Sequence, residues 1–175
     1  MEQRTFLSAF KILKKLNALC ATLAGAVLLF ITFSIFVDVF LRYFFNRPSI
    51  WITEVSTYLF LYVIFLGSAY ALQQGMHIKV EFLVSWFGLK TRKAIGLFTA
   101  LLSMIFCLVL IWQTSVMTWT AFKESWTSPT MLSAPYVYIY IVMVFGSILL
   151  FLTLLLHTII QIIQPDLDEA ESIGE

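Results

Sequence analysis

The chain has 175 residues, 61% of them hydrophobic and 17% aromatic, with only 12% charged and a formal net charge of +1. Soluble domains carry about 25% charged residues, so this composition excludes an ordinary soluble domain and leaves a polytopic helical membrane protein. The basic residues are spread over loops, which gives no nucleic-acid surface, and four spans use most of the length, which leaves no room for a separate soluble domain.

Residues 1 to 17 form a basic lead, with Arg4, Lys11, Lys14 and Lys15 against Glu2. Phe6, Phe10, Leu13 and Leu16 recur at helical spacing, so the lead is expected to lie on the cytoplasmic membrane surface before the chain turns inward. A cleaved signal peptide is rejected, because the apolar run that follows is too long and ends in Asp38, Phe40 and Arg42 instead of a small-residue cleavage site. The first span is expected over about 18–41. Asp38 stands one turn before Arg42, so the two can pair on one face. Ala21 and Gly25 make a small-xxx-small pair.

A short link, about 42–49, joins the first span to a second over about 50–72, with Trp51 as interfacial anchor. Glu54 lies one turn deeper. Gly67, Ser68, Ala69 and Ala71 form a small-residue packing patch. Residues 73–93 form the longest connection, and Val80, Leu83, Val84, Trp86 and Phe87 suggest a short interfacial amphipathic helix within it. The third span is expected over about 94–117. A polar loop, 123–134, leads to a fourth span over about 135–163, opened by Pro135 and longer than the roughly 20 residues a bilayer needs. The domain plan is one membrane domain over 1–164 and an acidic, disordered tail over 165–175.

Orientation follows from Lys and Arg: the lead and the 73–93 loop carry eight, the two opposite loops three. Both termini and the middle loop are therefore assigned to the cytoplasm. Cys20 and Cys107 fall inside spans without CxxC spacing and read as small buried apolar residues, with no disulfide expected.

The residues offer little chemistry of their own. Neither a Ser/His/Asp arrangement nor a metal-ligand cluster is visible, so no enzyme, metal or cofactor is expected. Haem would need axial ligands facing across a bundle. His77 precedes a charged, surface-like segment and His157 reads as an interfacial side chain, which makes a haem-bearing anchor the weakest reading. Self-sufficient transport needs interior polar groups or broken helices, and the spans hold only scattered Ser, Thr and Cys with Gln113. A small proton-coupled transporter using Glu54 is the alternative. Asp38, Arg42, Arg47 and Glu54 cluster on one hairpin and either form an internal salt-bridge cluster or bind a second membrane protein. Helices apolar all round favour a subunit.

A family resemblance adds to this reading. The run Arg42-Tyr43-Phe44-Phe45-Asn46-Arg47, then Trp51-Ile52-Thr53-Glu54, Leu66-Gly67 and His77-Ile78-Lys79-Val80-Glu81, with Ser128-Pro129, Leu132 and Pro135, resembles the small membrane subunit of TRAP transporters, the DctQ-type family. The match extends from Arg42 to Pro135. Thr53 stands where the family often has a first acid, which leaves Glu54 alone, and Ala134 where Ile is common.

The resemblance implies a four-span scaffold in the bacterial inner membrane, beside a large multi-span elevator-type subunit and a periplasmic substrate-binding protein. It implies a sodium-driven uptake system for an organic carboxylate such as a C4-dicarboxylate or sialic acid. The candidate partner contacts are Arg42, Arg47, Trp51, Glu54, Gly67, His77, Lys79, Glu81, Ser128 and Pro135.

Overall fold

The structure is a computed structural model and describes residues 2–46, 49–74, 89–130 and 132–163, with side chains from residue 10 onward and not those of residues 50, 89–94 and 160–163. Among the described residues the chain forms four α-helices: α1 (Glu2–Phe45), α2 (Ile50–Gln73), α3 (Leu89–Lys123) and α4 (Tyr136–Ile163). Each contains a stretch long and apolar enough to cross a membrane: Phe10–Phe45, Trp51–Gln73, Ile95–Lys123 and Tyr136–Ile159.

Two of the helices, α1 and α3, outrun the apolar runs that announce them. α1 is 44 residues long without a break, about 66 Å at 1.5 Å per residue and twice the hydrocarbon thickness of a bilayer. The basic lead therefore continues the first span as one rod and does not turn off it. Arg42 to Phe45, expected in the link, are the last turn of α1. Lys90, Arg92 and Lys93, expected in the loop, belong to the first turns of α3. Main-chain hydrogen bonding, which side-chain polarity does not interrupt, carries α1 and α3 past their apolar cores, whereas α2 and α4 match the expected spans to within a residue. The expected interfacial helix and the acidic tail lie outside the described residues.

Helix ends have local causes. Asn46, at φ 52°, takes the left-handed conformation that ends α1. Ser125, at φ 50°, does the same after α3, and the Trp126 N–H returns to the Ala121 carbonyl at 3.0 Å to close a Schellman-type cap.

α1 packs along α2, α2 along α4, and α4 along α3, so the spatial order is α1–α2–α4–α3, with α1 and α3 at the edges. On α1 the residues turned inward are Asn17, Cys20, Ala24, Val27, Ile31, Ser34, Asp38 and Leu41. They alternate at spacings of three and four, a narrow coiled-coil-like seam, and polar residues stand at both of its ends. α3 repeats the device with Cys107, Thr114 and Ala121 seven residues apart. Cys20 packs with Ala69 and Leu149, and Cys107 with Leu72 and Leu154, so each thiol fills a small gap between helices.

Helices α2 and α4 approach closely at Gly146. A Cβ there would lie 2.5 Å from the Phe65 carbonyl oxygen, so only glycine lets α4 meet the α2 backbone. Gly67 and Gly25 differ: the space their side chains would occupy is open. Within the chain, the small-residue patch on α2 packs through Ala69 and leaves Gly67 as a notch on the outer surface.

Candidate functional site

Two adjoining polar clusters lie where α1 ends, α2 begins and the α3–α4 loop passes over them. The first is built on Asp38. Its carboxylate is buried, with Oδ2 accepting from Arg42 Nη2 at 2.9 Å and Oδ1 from the Ser49 backbone N–H at 2.8 Å. One carboxylate thus joins the last turn of α1 to the first residue before α2 and fixes the hairpin. Arg42 is half exposed, with 53% of its side chain accessible.

The second cluster is built on Glu54. Glu54 Oε1 lies 2.8 Å from Tyr58 Oη and 2.8 Å from Ser128 Oγ, and it also accepts from Thr130 Oγ1. The hydroxyls are linked among themselves: Tyr58 to Ser128 at 2.8 Å and Ser128 to Thr130 at 2.5 Å. The Leu132 backbone amide also approaches the carboxylate. Oε2 is buried and has no hydrogen-bond partner of normal geometry among the described residues. Glu54 thus gathers the loop chiefly through Oε1.

The loop it gathers is closed on itself. Ser128 N–H donates to the Ala134 carbonyl at 2.9 Å and Tyr136 N–H to the Trp126 carbonyl at 3.1 Å, which pairs Thr127 with Pro135. Trp126 Nε1 donates to Glu124 at 2.7 Å. Seven residues line an open groove of about 420 Å³ beside the two clusters: Arg42, Ser49, Thr53, Glu54, Thr57, Tyr58 and Thr130.

Of the sequence candidates, the structure brings Arg42, Glu54, Ser128 and Pro135 to this end of the molecule, with Trp51 58% exposed at its edge. Of the four hairpin charges three are described: Asp38 pairs with Arg42, whereas Glu54 is held by hydroxyls. Gly67 lies apart, along α2. Arg47, His77, Lys79 and Glu81 lie outside the described residues.

Sequence reasoning missed a third cluster. Asn17, fully buried, donates from Nδ2 to Gln73 Oε1 at 3.0 Å and to Thr153 Oγ1 at 2.9 Å, and so ties α1, α2 and α4 together. Asn17 is three heptads from Asp38 on the seam of α1, a periodicity that would have marked it. Tyr58, one turn after Glu54, carried a similar signal. Thr130 and Gly146 carried none, because their partners are 76 residues away and on a neighbouring backbone respectively.

Four apolar helices of crossing length, locked together by polar groups near both ends, define a multi-pass, all-α membrane protein. The family model for the DctQ component of tripartite ATP-independent periplasmic transporters matches residues 30–164, and the chain belongs to that family. It is accordingly a transporter component of the bacterial inner membrane. It is also 30% identical over 98 residues to a Haemophilus influenzae protein named as a TRAP transporter small permease protein. The aligned stretch spans 56% of this chain and 58% of that relative.

Proposed function

We propose that the chain is the small scaffold subunit of a sodium-driven, TRAP-type uptake transporter for an organic carboxylate, such as a C4-dicarboxylate or sialic acid. It stands beside a large elevator-type subunit that moves the substrate delivered by a periplasmic binding protein. The observation that supports this best is the set of three polar clamps. Asp38 fixes α1 to α2, Glu54 fixes α2 to the α3–α4 loop, and Asn17 fixes α1, α2 and α4 at the opposite end. An elevator needs an immobile frame, and a layer of long helices pinned near both ends resists shear.

Hydroxyls within the spans serve the frame as well. Thr22, Thr32, Thr114, Thr118, Ser147 and Thr158 donate to carbonyls one turn earlier on their own helices, so they are spent on backbone groups instead of lining a path. The proposed orientation puts both termini inside, so that the Asp38 and Glu54 clusters face the periplasm. Arg42, Trp51 and the Gly67 notch offer contact surface to the large subunit, whereas Glu54, Ser128 and Pro135 hold the loop that such a partner meets. Arg47, His77, Lys79 and Glu81 extend the proposed contact set.

The alternative, an independent proton-coupled transporter, would use Glu54. That carboxylate sits in the second turn of α2, and one of its oxygens is engaged by three hydroxyls, an arrangement suited to holding a loop. Gentle detergent purification of tagged protein from native membranes, followed by mass analysis, separates the two. A stoichiometric large membrane partner is expected. A lone chain that transports by itself in liposomes would favour the alternative.

A further inference from the structure

One face of α1 carries a basic cluster that its neighbours leave without a counter-charge. Lys14 and Lys15 follow Lys11 by three and four residues, which puts the three on one side of the helix, and all three are exposed. None of them makes an ion pair among the described residues, where the one pair is Asp38 with Arg42. The run 16–37 that follows is uncharged and measures about 33 Å at 1.5 Å per residue, close to the hydrocarbon thickness of a bilayer. Asp38 and Arg42 stand just past its far end, and Tyr43 and Phe44, 81% and 72% exposed, make an aromatic belt there. With that end at one interface, the lysines are at the depth of phospholipid headgroups at the other. Asn17, three residues after Lys14, is bonded to α2 and α4, so this stretch of the rod is held in place.

A strip without large side chains runs from the lysines toward the middle of the bilayer. Lys14, Ala18, Thr22 and Gly25 recur at spacings of four, four and three, one line along the helix, and Ala18, Thr22 and Gly25 are all exposed. Thr22 turns its hydroxyl back to the Ala18 carbonyl at 2.9 Å, so no spare donor interrupts the strip. Nothing lies within 4 Å of the point where a Gly25 side chain would begin. Leu29, 73% exposed, ends the strip one turn further on.

We propose that this face of α1 binds an anionic phospholipid, with its phosphate among the three lysine ammoniums and one acyl chain along the strip 18–25. Attraction between lysines at a membrane surface and an anionic headgroup accumulates with each lysine. Phosphatidylglycerol brings a phosphate and no cation of its own. Phosphatidylethanolamine and phosphatidylcholine bring an ammonium that would stand against three like charges. A second copy of the chain docked on this face would set lysines against lysines, which disfavours it as the occupant. The site is at headgroup depth whichever way the chain is oriented and whether or not the chain is a scaffold.

The test is native mass spectrometry of the full chain in detergent, titrated separately with phosphatidylglycerol, phosphatidylethanolamine and phosphatidylcholine of matched acyl chains. Retained phosphatidylglycerol is expected, preferred over each of the others by at least about tenfold, and Lys14→Gln is expected to lower that preference about fivefold, the scale of one lysine at a membrane surface. Replacing Lys11, Lys14 and Lys15 together by Gln removes it. Gly25→Leu, placed where the chain leaves open space, lowers retention of phosphatidylglycerol severalfold with all three lysines present. Lys123→Gln, an exposed lysine at the opposite end of α3, leaves the preference unchanged.

Equal retention of the three lipids by the wild-type chain overturns the proposal, and that comparison stands even if a variant fails to fold. An unchanged preference in the triple lysine variant overturns it as well, since the anionic lipid then binds elsewhere. Full retention in Gly25→Leu would reduce the site to a diffuse basic surface with no place for the acyl chain. A wild-type chain that shows no preference and gains one when residues 165–175 are removed would assign the lysines to the chain's own acidic run instead of to lipid.

Discussion

Glu54 and Asn17 show how one side chain is committed by its surroundings. Glu54 holds a loop that has no helical hydrogen bonds of its own, so Glu54→Ala removes the acceptor shared by Tyr58, Ser128 and Thr130. Amide exchange across 126–134 is expected to accelerate while the helices stay protected, and exchange mass spectrometry reads both. Unchanged exchange in the loop would mean that its own main-chain bonds suffice. Glu54→Gln retains an acceptor, so it is expected to weaken the assembled complex without moving the pH profile of uptake; a moved profile would place a proton step at Glu54. Asn17→Ala leaves Gln73 and Thr153 without their shared partner. The cost expected is about 0.6–1.7 kcal/mol, the range for interhelical hydrogen bonds in membranes, read as reduced unfolding stability in detergent. Asn17 carried a legible signal in its register with Asp38. Glu54 was legible as a costly charge in a span, but its partners were not, because hydroxyl side chains in a distant loop have no periodicity to betray them.

At the scale of the helices, the decisive contact is between α2 and α4. Gly146→Ala drives a methyl group against the Phe65 backbone, which cannot rotate away as a side chain can. A destabilisation of about 1–3 kcal/mol, the cost of overpacking, is expected in a thermal or denaturant melt of the purified chain. Gly67→Ala is expected to leave the same melt unaltered, since nothing in the chain occupies that space. Gly67→Leu is then a probe of docking: lower yield of the complex with normal stability of the free chain would place a partner at the notch. The sequence supplied the number and type of helices, because four long apolar runs admit little else. It placed the ends of α1 and α3 short by several residues, because apolar composition marks what contacts lipid whereas the hydrogen-bonded rod continues into polar sequence at Arg42–Phe45 and Lys90–Lys93.

Across the molecule, the order α1–α2–α4–α3 leaves two edge helices, each packed along one neighbour. Exposed apolar surface is normal for lipid contact, yet a layer of this kind also offers broad flanks to a larger partner. In the proposed orientation, with both termini inside, Ser133 in the α3–α4 loop faces the periplasm. Ser133→Cys is therefore expected to react with an impermeant maleimide from the periplasmic side. Cys20 and Cys107 are buried and are expected to stay silent. Labelling of position 133 only after the inner membrane is opened would reverse the assignment.

The sequence by itself determined an all-α membrane chain with four spans, the pairing of Asp38 with Arg42, and, through ordered motifs, the family. These are properties of composition and short spacing: transfer of long apolar runs to lipid, helical periodicity, and residues one turn apart. Tertiary structure alone decided which faces of these helices meet. When a helix is apolar all round, hydrophobic patterning does not distinguish lipid from protein, and the choice falls to small residues and polar partners far apart in the chain. Gly146 against Phe65, Asn17 with Gln73 and Thr153, and Glu54 with Ser128 and Thr130 are contacts of that kind.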